Sequence, residues 1–162
     1  MTATEADRFW LQTTIDLSRL SPPSPAHYAV GAAIVDAGGT LLATGYTGEG
    51  DPHFHAEEAA LAKLTGRLGP DGAALDLTGA TVYSSLEPCT VRKSRPYPCT
   101  GLILAAGLRR VVFALREPLF FADCTGVEAL SSAGAEVLEV AEFGPAVAEI
   151  NAHILKPARA LR

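Results

Sequence analysis

The feature that most restricts the fold is the alternation of short apolar runs after residue 80. ATVYSSL (80–86) has the character of a buried strand, and TGLILAAG (100–107) that of a helix stopped by Gly107. RRVVFAL (109–115) follows as a strand, DCTGVEALSSAG (123–134) as a helix and AEVLEVA (135–141) as a strand. Strand–helix–strand units of this length predict a largely parallel sheet with helices on both faces. Upstream, YAVGAAIV (28–35), the turn DAGG (36–39) and TLLATGY (40–46) predict a β-hairpin, which adds one antiparallel pairing. Residues 4–20 carry Ala6, Phe9, Leu17 and Leu20 at helical spacing, with Thr4 and Asp7 as a capping pair. Pro22, Pro23 and Pro25 end that helix. Further helices are expected at about 55–65 and about 144–156. The predicted order is α-ββ-α-β-α-β-α-β-α.

A chain of 162 residues fits one domain, and we expect it to span residues 1–162. The net charge of −5 argues against a protein that coats polynucleotides or an anionic membrane. No apolar run approaches the roughly 18 residues needed to cross a bilayer. The first residues, MTATEADRFW, lack the basic-then-apolar layout of a secretory signal, so a cytoplasmic location is expected. Three cysteines without an export signal favour thiolate chemistry or metal ligation over a disulfide framework.

Open α/β sheets build their sites at the carboxyl ends of the strands. Three loops matter there: the one before His55, residues 87–99, and residues 116–123. In HFHAEEAALAKL (53–64), His55 stands at a helix start. In LEPCTVRKSRPYPC, Cys89 follows a strand and Cys99 opens a helix, where unpaired backbone N–H groups favour a thiolate. One imidazole and two thiolates make a three-ligand Zn2+ set whose fourth position is open to water, the mark of a catalytic centre. Such water titrates near ~7. Glu57 is two residues from His55. On a mature helix the two would face apart by roughly 200°, but in the first turn both reach a metal beyond the helix end. Glu57 is therefore the expected proton shuttle, its pKa drawn upward in a dry pocket.

HAE followed by EPC and a second Cys resembles the zinc-dependent cytidine deaminase superfamily, whose signature is H-x-E…P-C-x-x-C. The likeness spans roughly residues 28–140 and includes VGAAIV and LILAAGLRRVVFAL. It implies a three-layer α/β/α cytidine deaminase-like fold with a five-stranded mixed sheet and parallel last strands. It also implies zinc on His55, Cys89 and Cys99, with proton transfer by Glu57. The nine-residue spacer between the cysteines, ending in Pro-Cys, is similar to the deaminase domain of the bifunctional riboflavin-biosynthesis deaminase/reductase. That domain acts on a phosphorylated diaminopyrimidine. The riboflavin enzymes usually carry an asparagine before the first core strand and Asp-Pro-Asn-Pro after the fourth. Here those positions read SPAHYAVG and REPLFFAD, and the chain's one asparagine is Asn151. Ring and ribose contacts should therefore differ. No reductase domain is expected within these residues.

The expected activity is hydrolytic release of ammonia from an aminopyrimidine nucleotide, with a cytosine, cytidine or dCMP-type substrate as the alternative. A non-catalytic zinc-binding module is the alternative from another class; it requires four protein ligands, with His53 the nearest fourth. Arg92, Lys93 and Arg95 lie in a stretch without acidic residues from Pro88 to Leu115, and are either a solvated basic loop or a phosphate clamp. His27 and Tyr28 are either a surface turn or substrate contacts. Phe120 either stacks on a planar base or packs within or between subunits. Glu58 is expected to face solvent at the helix N-terminus, and Cys124 to be a thiol without chemistry. The resemblance implies a homodimer or higher homo-oligomer and a small-molecule substrate, while the acidic charge balance and short apolar runs argue against polynucleotide and membrane partners.

Overall fold

The computed structural model describes residues 1–92, 96–117 and 124–155. In chain order it contains helix α1 (Glu5–Ser18), strands β1 (Gly31–Val35) and β2 (Leu41–Tyr46), helix α2 (Ala56–Ala62) and strand β3 (Thr81–Ser84). Helix α3 (Cys99–Ala105), strand β4 (Arg110–Phe113), helix α4 (Gly126–Ser132) and strand β5 (Glu136–Glu139) follow. A 3-10 turn (Ala141–Phe143) leads into helices α5 (Gly144–Ile150) and α6 (Ala152–Leu155).

The strands form one mixed sheet in the order β2-β1-β3-β4-β5. β3–β4 and β4–β5 are parallel, as the strand–helix alternation predicts. β1 is antiparallel to both of its neighbours, β2 and β3. The second antiparallel pairing was not expected, and the sheet is evenly mixed rather than largely parallel. Its cause is that β2, α2 and β3 form a crossover unit which leaps over β1, leaving β1 reversed between two strands that run the same way. The carboxyl ends of β2, β3, β4 and β5 therefore share one edge of the sheet with the amino end of β1. Loops from four strands, and the segment entering β1, converge there.

β1 is buried along its whole length, in keeping with its apolar GAAIV sequence and a central place. Helix α1 packs on β1, β3 and α5, while α2, α3 and α4 pack in a row. Leu11 and Ile15 of α1, Ile34, Val82, Val111 and Val112 of the sheet, and Ile103 and Leu130 of the other helices are fully enclosed.

Helix α1 begins with the predicted capping box. Thr4 Oγ1 accepts from the Asp7 N–H at 3.1 Å, and Asp7 Oδ2 accepts from the Thr4 N–H at 3.0 Å. The same buried carboxylate receives Tyr83 Oη at 2.8 Å and the two terminal nitrogens of Arg110 at 2.8 and 3.0 Å. Burial raises the Asp7 pKa; Arg110, the Thr4 N–H and Tyr83 together outweigh it and hold the carboxyl well below the usual range. The cap thus fastens α1 to β3 and β4.

The tail was expected as one helix over about 144–156. It is two, divided at Asn151, whose backbone leaves helical geometry at φ −100°, ψ 20°. The Asn151 side chain is committed to a partner across the molecule, the backbone of Ala29. Among the described residues, no helix is long and apolar enough to cross a membrane.

Candidate metal centre

His55 is the N-cap of α2, with extended backbone (φ −79°, ψ 161°). It makes no side-chain cap bond, because its ring turns towards two sulfurs instead. Nδ1 of His55 lies 3.6 Å from Cys89 Sγ and 3.4 Å from Cys99 Sγ. A tetrahedral zinc with ordinary Zn–N and Zn–S bonds of about 2.1 and 2.3 Å sets its N and S ligands roughly 3.6 Å apart. The observed separations match two edges of that tetrahedron. Among the described residues, His55, Cys89 and Cys99 are the one group of donors suited to a metal, all within 4.8 Å of one another. His53 is not in the group, so the closed four-ligand set required of a structural zinc module does not form from the nearest candidate.

Backbone geometry places each ligand. Cys89 lies beyond the end of β3, and Cys99 is the first residue of α3 after the N-cap Pro98. The free N–H of Cys99 points at Cys89 Sγ, 3.3 Å away, and the Thr100 N–H meets the Cys89 carbonyl at 3.2 Å. Helix-end amides are satisfied by a thiolate and by the loop that carries it. The Cys89 thiol is pulled well down, first by hydrogen bonding from Cys99 and then, against burial, by His55. Cys99 is pushed up by the Cys89 thiolate and by burial. A single negative charge thus suits the metal-free pair, and a divalent ion is what allows both sulfurs to be thiolates. Two glycines permit the close approaches around the centre. A Cβ at Gly45 would strike the carbonyl oxygen of Ala56 at the start of α2, and one at Gly126 would strike the Pro88 carbonyl beside Cys89.

Glu57 is the second residue of α2, and 3% exposed. Ser84 Oγ lies 2.8 Å from its Oε1 and 2.7 Å from the Leu86 carbonyl oxygen. Burial first, and the Cys89 charge second, raise the Glu57 pKa against the opposing pull of His55 and Ser84. His55, an extended N-cap outside the helical turn, and Glu57 line the same cavity.

A cavity of about 410 Å³ opens on these groups. His27, Tyr28, His53 and Arg92 line it together with His55, Glu57 and Cys89. Of the three spacer cations, only Arg92 falls within the described residues; Lys93 and Arg95 lie outside them, as does Phe120. Arg92 is not solvated. Its side chain is 1% exposed, and Nη2 donates to the His53 carbonyl at 2.8 Å and to Glu58 Oε1 at 3.1 Å. Glu58 is accordingly not a solvent-facing residue: its side chain is 16% exposed and pairs with Arg92, which the spacer folds back onto α2.

Several site residues have no signal in metal chemistry. Glu87, 2% exposed, accepts from the Glu117 and Val127 N–H groups at 3.1 and 3.0 Å and so locks the ligand loop to its neighbours. Its position directly before Pro-Cys was the available clue. Glu117 also lines the cavity, and burial raises its pKa. Cys124 is buried, with Sγ 3.6 Å from the Pro88 carbonyl and its pKa pushed up to about 12 by burial. Among the described residues, Cys124 is not in the group of metal donors.

Comparison with known proteins agrees with this geometry. The family described as the cytidine and deoxycytidylate deaminase zinc-binding region matches residues 4–115. A diaminohydroxyphosphoribosylamino-pyrimidine deaminase of Schizosaccharomyces pombe is 38% identical over 121 residues, covering 75% of this chain and 29% of that protein. The riboflavin biosynthesis protein RibD of Aquifex aeolicus is 36% identical over 138 residues, covering 82% of this chain and 34% of that protein. This chain therefore spans about a third of the length of those curated relatives. Among solved structures, the diaminohydroxyphosphoribosylaminopyrimidine deaminase/5-amino-6-(5-phosphoribosylamino)uracil reductase of Thermotoga maritima superposes with a TM-score of 0.74 at 28% identity. It covers 97% of this chain, and 42% of that chain is matched.

Proposed function

The chain belongs to the cytidine and deoxycytidylate deaminase zinc-binding family, and on that premise we propose that it is a hydrolytic deaminase releasing ammonia from an aminopyrimidine nucleotide of the riboflavin-pathway type. The observation that carries the proposal is the buried Glu57 carboxyl beside a three-donor centre with tetrahedral spacing, both opening on one cavity. The substrate class rests on the relatives named as riboflavin-pathway deaminases and on the long cysteine spacer.

His55, Cys89 and Cys99 hold the zinc. When bound, zinc supplies a water acidified to a pKa near ~7. Glu57 takes a proton at one carboxylate oxygen and passes protons to the ring nitrogen and the departing amine. The balance is one water consumed, one C–N bond exchanged for C–O, and one ammonia released. The enclosed carboxyl has the raised pKa that such a shuttle needs.

His27 and Tyr28 are proposed to contact the substrate; both line the cavity. Arg92, which lines the cavity, adds a recognition edge in this reading: its Nε and Nη1 are buried, with no acceptor among the described residues. An acceptor on the substrate would satisfy them. Lys93 and Arg95 complete the proposed phosphate clamp, and Phe120 is proposed to stack on the ring. The reading includes a cytoplasmic setting, consistent with cysteines that form no disulfide, and a homodimer or higher homo-oligomer, which light scattering would test.

The deciding experiment is ammonia release by zinc-loaded protein across a panel of aminopyrimidines, each offered with and without its phosphate. Preference for a phosphorylated diaminopyrimidine is the expected result. Turnover of cytidine or dCMP alone would overturn the substrate assignment, and no turnover with full zinc would overturn the deaminase itself.

A further inference from the structure

We infer that Asn151 is a positioning residue for the substrate-facing wall of the cavity, acting through the backbone of Ala29; this rests on the deaminase reading above. Ala29 lies two residues ahead of β1, beyond the hydrogen-bonded ladder. Its backbone N–H and C=O would otherwise face each other's absence in a part-buried place. One side chain serves both. Asn151 Oδ1 accepts from the Ala29 N–H at 2.7 Å, and Nδ2 donates to the Ala29 carbonyl at 3.1 Å. A primary amide presents an acceptor and a donor side by side, as a neighbouring strand does. Asn151 thus extends the edge of β1 by one residue pair, from 122 positions away in sequence.

The amide is itself held. Asn151 is 1% exposed, and Nδ2 also donates to the Val147 carbonyl at 3.1 Å. A second tie lies beside it. His153 Nε2 is 3.1 Å from the carbonyl oxygen of His27 and is the donor there, because a carbonyl only accepts. On the other side, the Val30 N–H donates to Thr47 Oγ1 at 3.0 Å. The segment from His27 to Val30 is therefore tied at His27, Ala29 and Val30, and His27, Tyr28 and Val30 are cavity walls. Among the described residues, none of α5 or α6 belongs to the metal-donor group or to the cavity lining. Asn151 and His153 are tied to the cavity wall through this segment.

The consequence is a separation of roles. Loosening Asn151 should change how substrate is held while leaving the metal and the proton shuttle in place. A residue needed only for folding would lower zinc content, turnover and affinity together.

The test uses the full zinc-loaded chain, with Asn151→Ala and the milder His153→Ala. Three quantities are read: amide exchange of Ala29 and its neighbours, zinc per chain, and steady-state deamination of the best aminopyrimidine from the panel. For Asn151→Ala, exchange at Ala29 should quicken by about tenfold or more, since its hydrogen bond is lost. Zinc should stay at one per chain, and KM should rise about tenfold with kcat within about threefold. His153→Ala, on an exposed side chain, should move exchange and KM in the same direction by less, and it decides the matter if the first variant does not fold. Unchanged exchange, or faster exchange with unaltered KM, overturns the inference. So does a fall of kcat and zinc together. A wild-type chain inert towards the whole panel would instead sink the deaminase reading; the exchange measurement would then still support or refute the Asn151 strap on its own.

Discussion

Ser84 Oγ lies 2.8 Å from Oε1 of Glu57 and 2.7 Å from the carbonyl oxygen of Leu86, and its one proton cannot serve both. When the hydroxyl donates to Leu86, its oxygen is free to accept from a protonated Glu57. When Glu57 is ionised, the hydroxyl swings to it. The serine therefore grips the carboxyl at Oε1 in either state.

Removing that grip should slow turnover without emptying the centre. Ser84→Ala is expected to lower kcat by about tenfold, the equivalent of ~1.4 kcal/mol and within the range for a hydrogen bond to a charged group. Zinc content should match wild type. Full activity in this variant would show that Glu57 is held well enough by α2 alone.

Glu57→Gln tests the shuttle itself. The amide is isosteric but cannot carry the proton, so turnover should fall by about 10²- to 10⁴-fold. Elemental analysis should still find one zinc per chain, and His53→Ala should likewise keep it. Loss of metal on replacing His53 would point to a closed structural site.

Stripping the metal should be reversible in function. Chelation is expected to abolish ammonia release and zinc to restore it, while Cys99→Ser should fail to recover under the same zinc. Because Cys89 Sγ is bonded by the Cys99 N–H, the metal-free loop should also show faster amide exchange at Cys99. A chelated chain that deaminates at the wild-type rate would rule out a catalytic role for the ion.

Asp7 gives a pH-dependent stability. Its pKa lies below the unfolded value in the native state, so its contribution is complete above the unfolded pKa of roughly 3.9 and is lost as pH falls towards the native value. Asp7→Asn should cost about 2–4 kcal/mol near pH 7, since it removes a buried partner from Arg110 and Tyr83. Urea titrations at pH 7 and pH 3 should show the gap between wild type and variant narrowing in acid. A gap that stays constant would mean that the carboxylate charge contributes nothing.

The metal centre was legible in sequence because few side chains can do its chemistry. One histidine, one nearby glutamate and two cysteines at strand and helix ends leave little freedom. The helix–strand order was legible for the same kind of reason, since apolar period and Gly/Pro punctuation are local. What was not legible depends on distant partners. A strand's period does not carry its direction, so the reversed pairing of β1 with β3 was missed. Glu58 looked like a surface residue because its partner, Arg92, comes from a loop beyond β3. The break at Asn151 follows from Ala29, far upstream. Glu87 carries no metal-ligand signature, although its carboxylate joins three segments.

The reversal of β1 has one more consequence. The metal donors and Glu57 sit on chain that is leaving the sheet or starting a helix, whereas residues 26–30 are chain about to enter it. The two walls belong to different stretches of sequence and are braced by different helices. Selection can therefore retune the entering wall while the metal donors and Glu57 are inherited intact, and a combinatorial library confined to that stretch is the natural place to seek altered ligand preference.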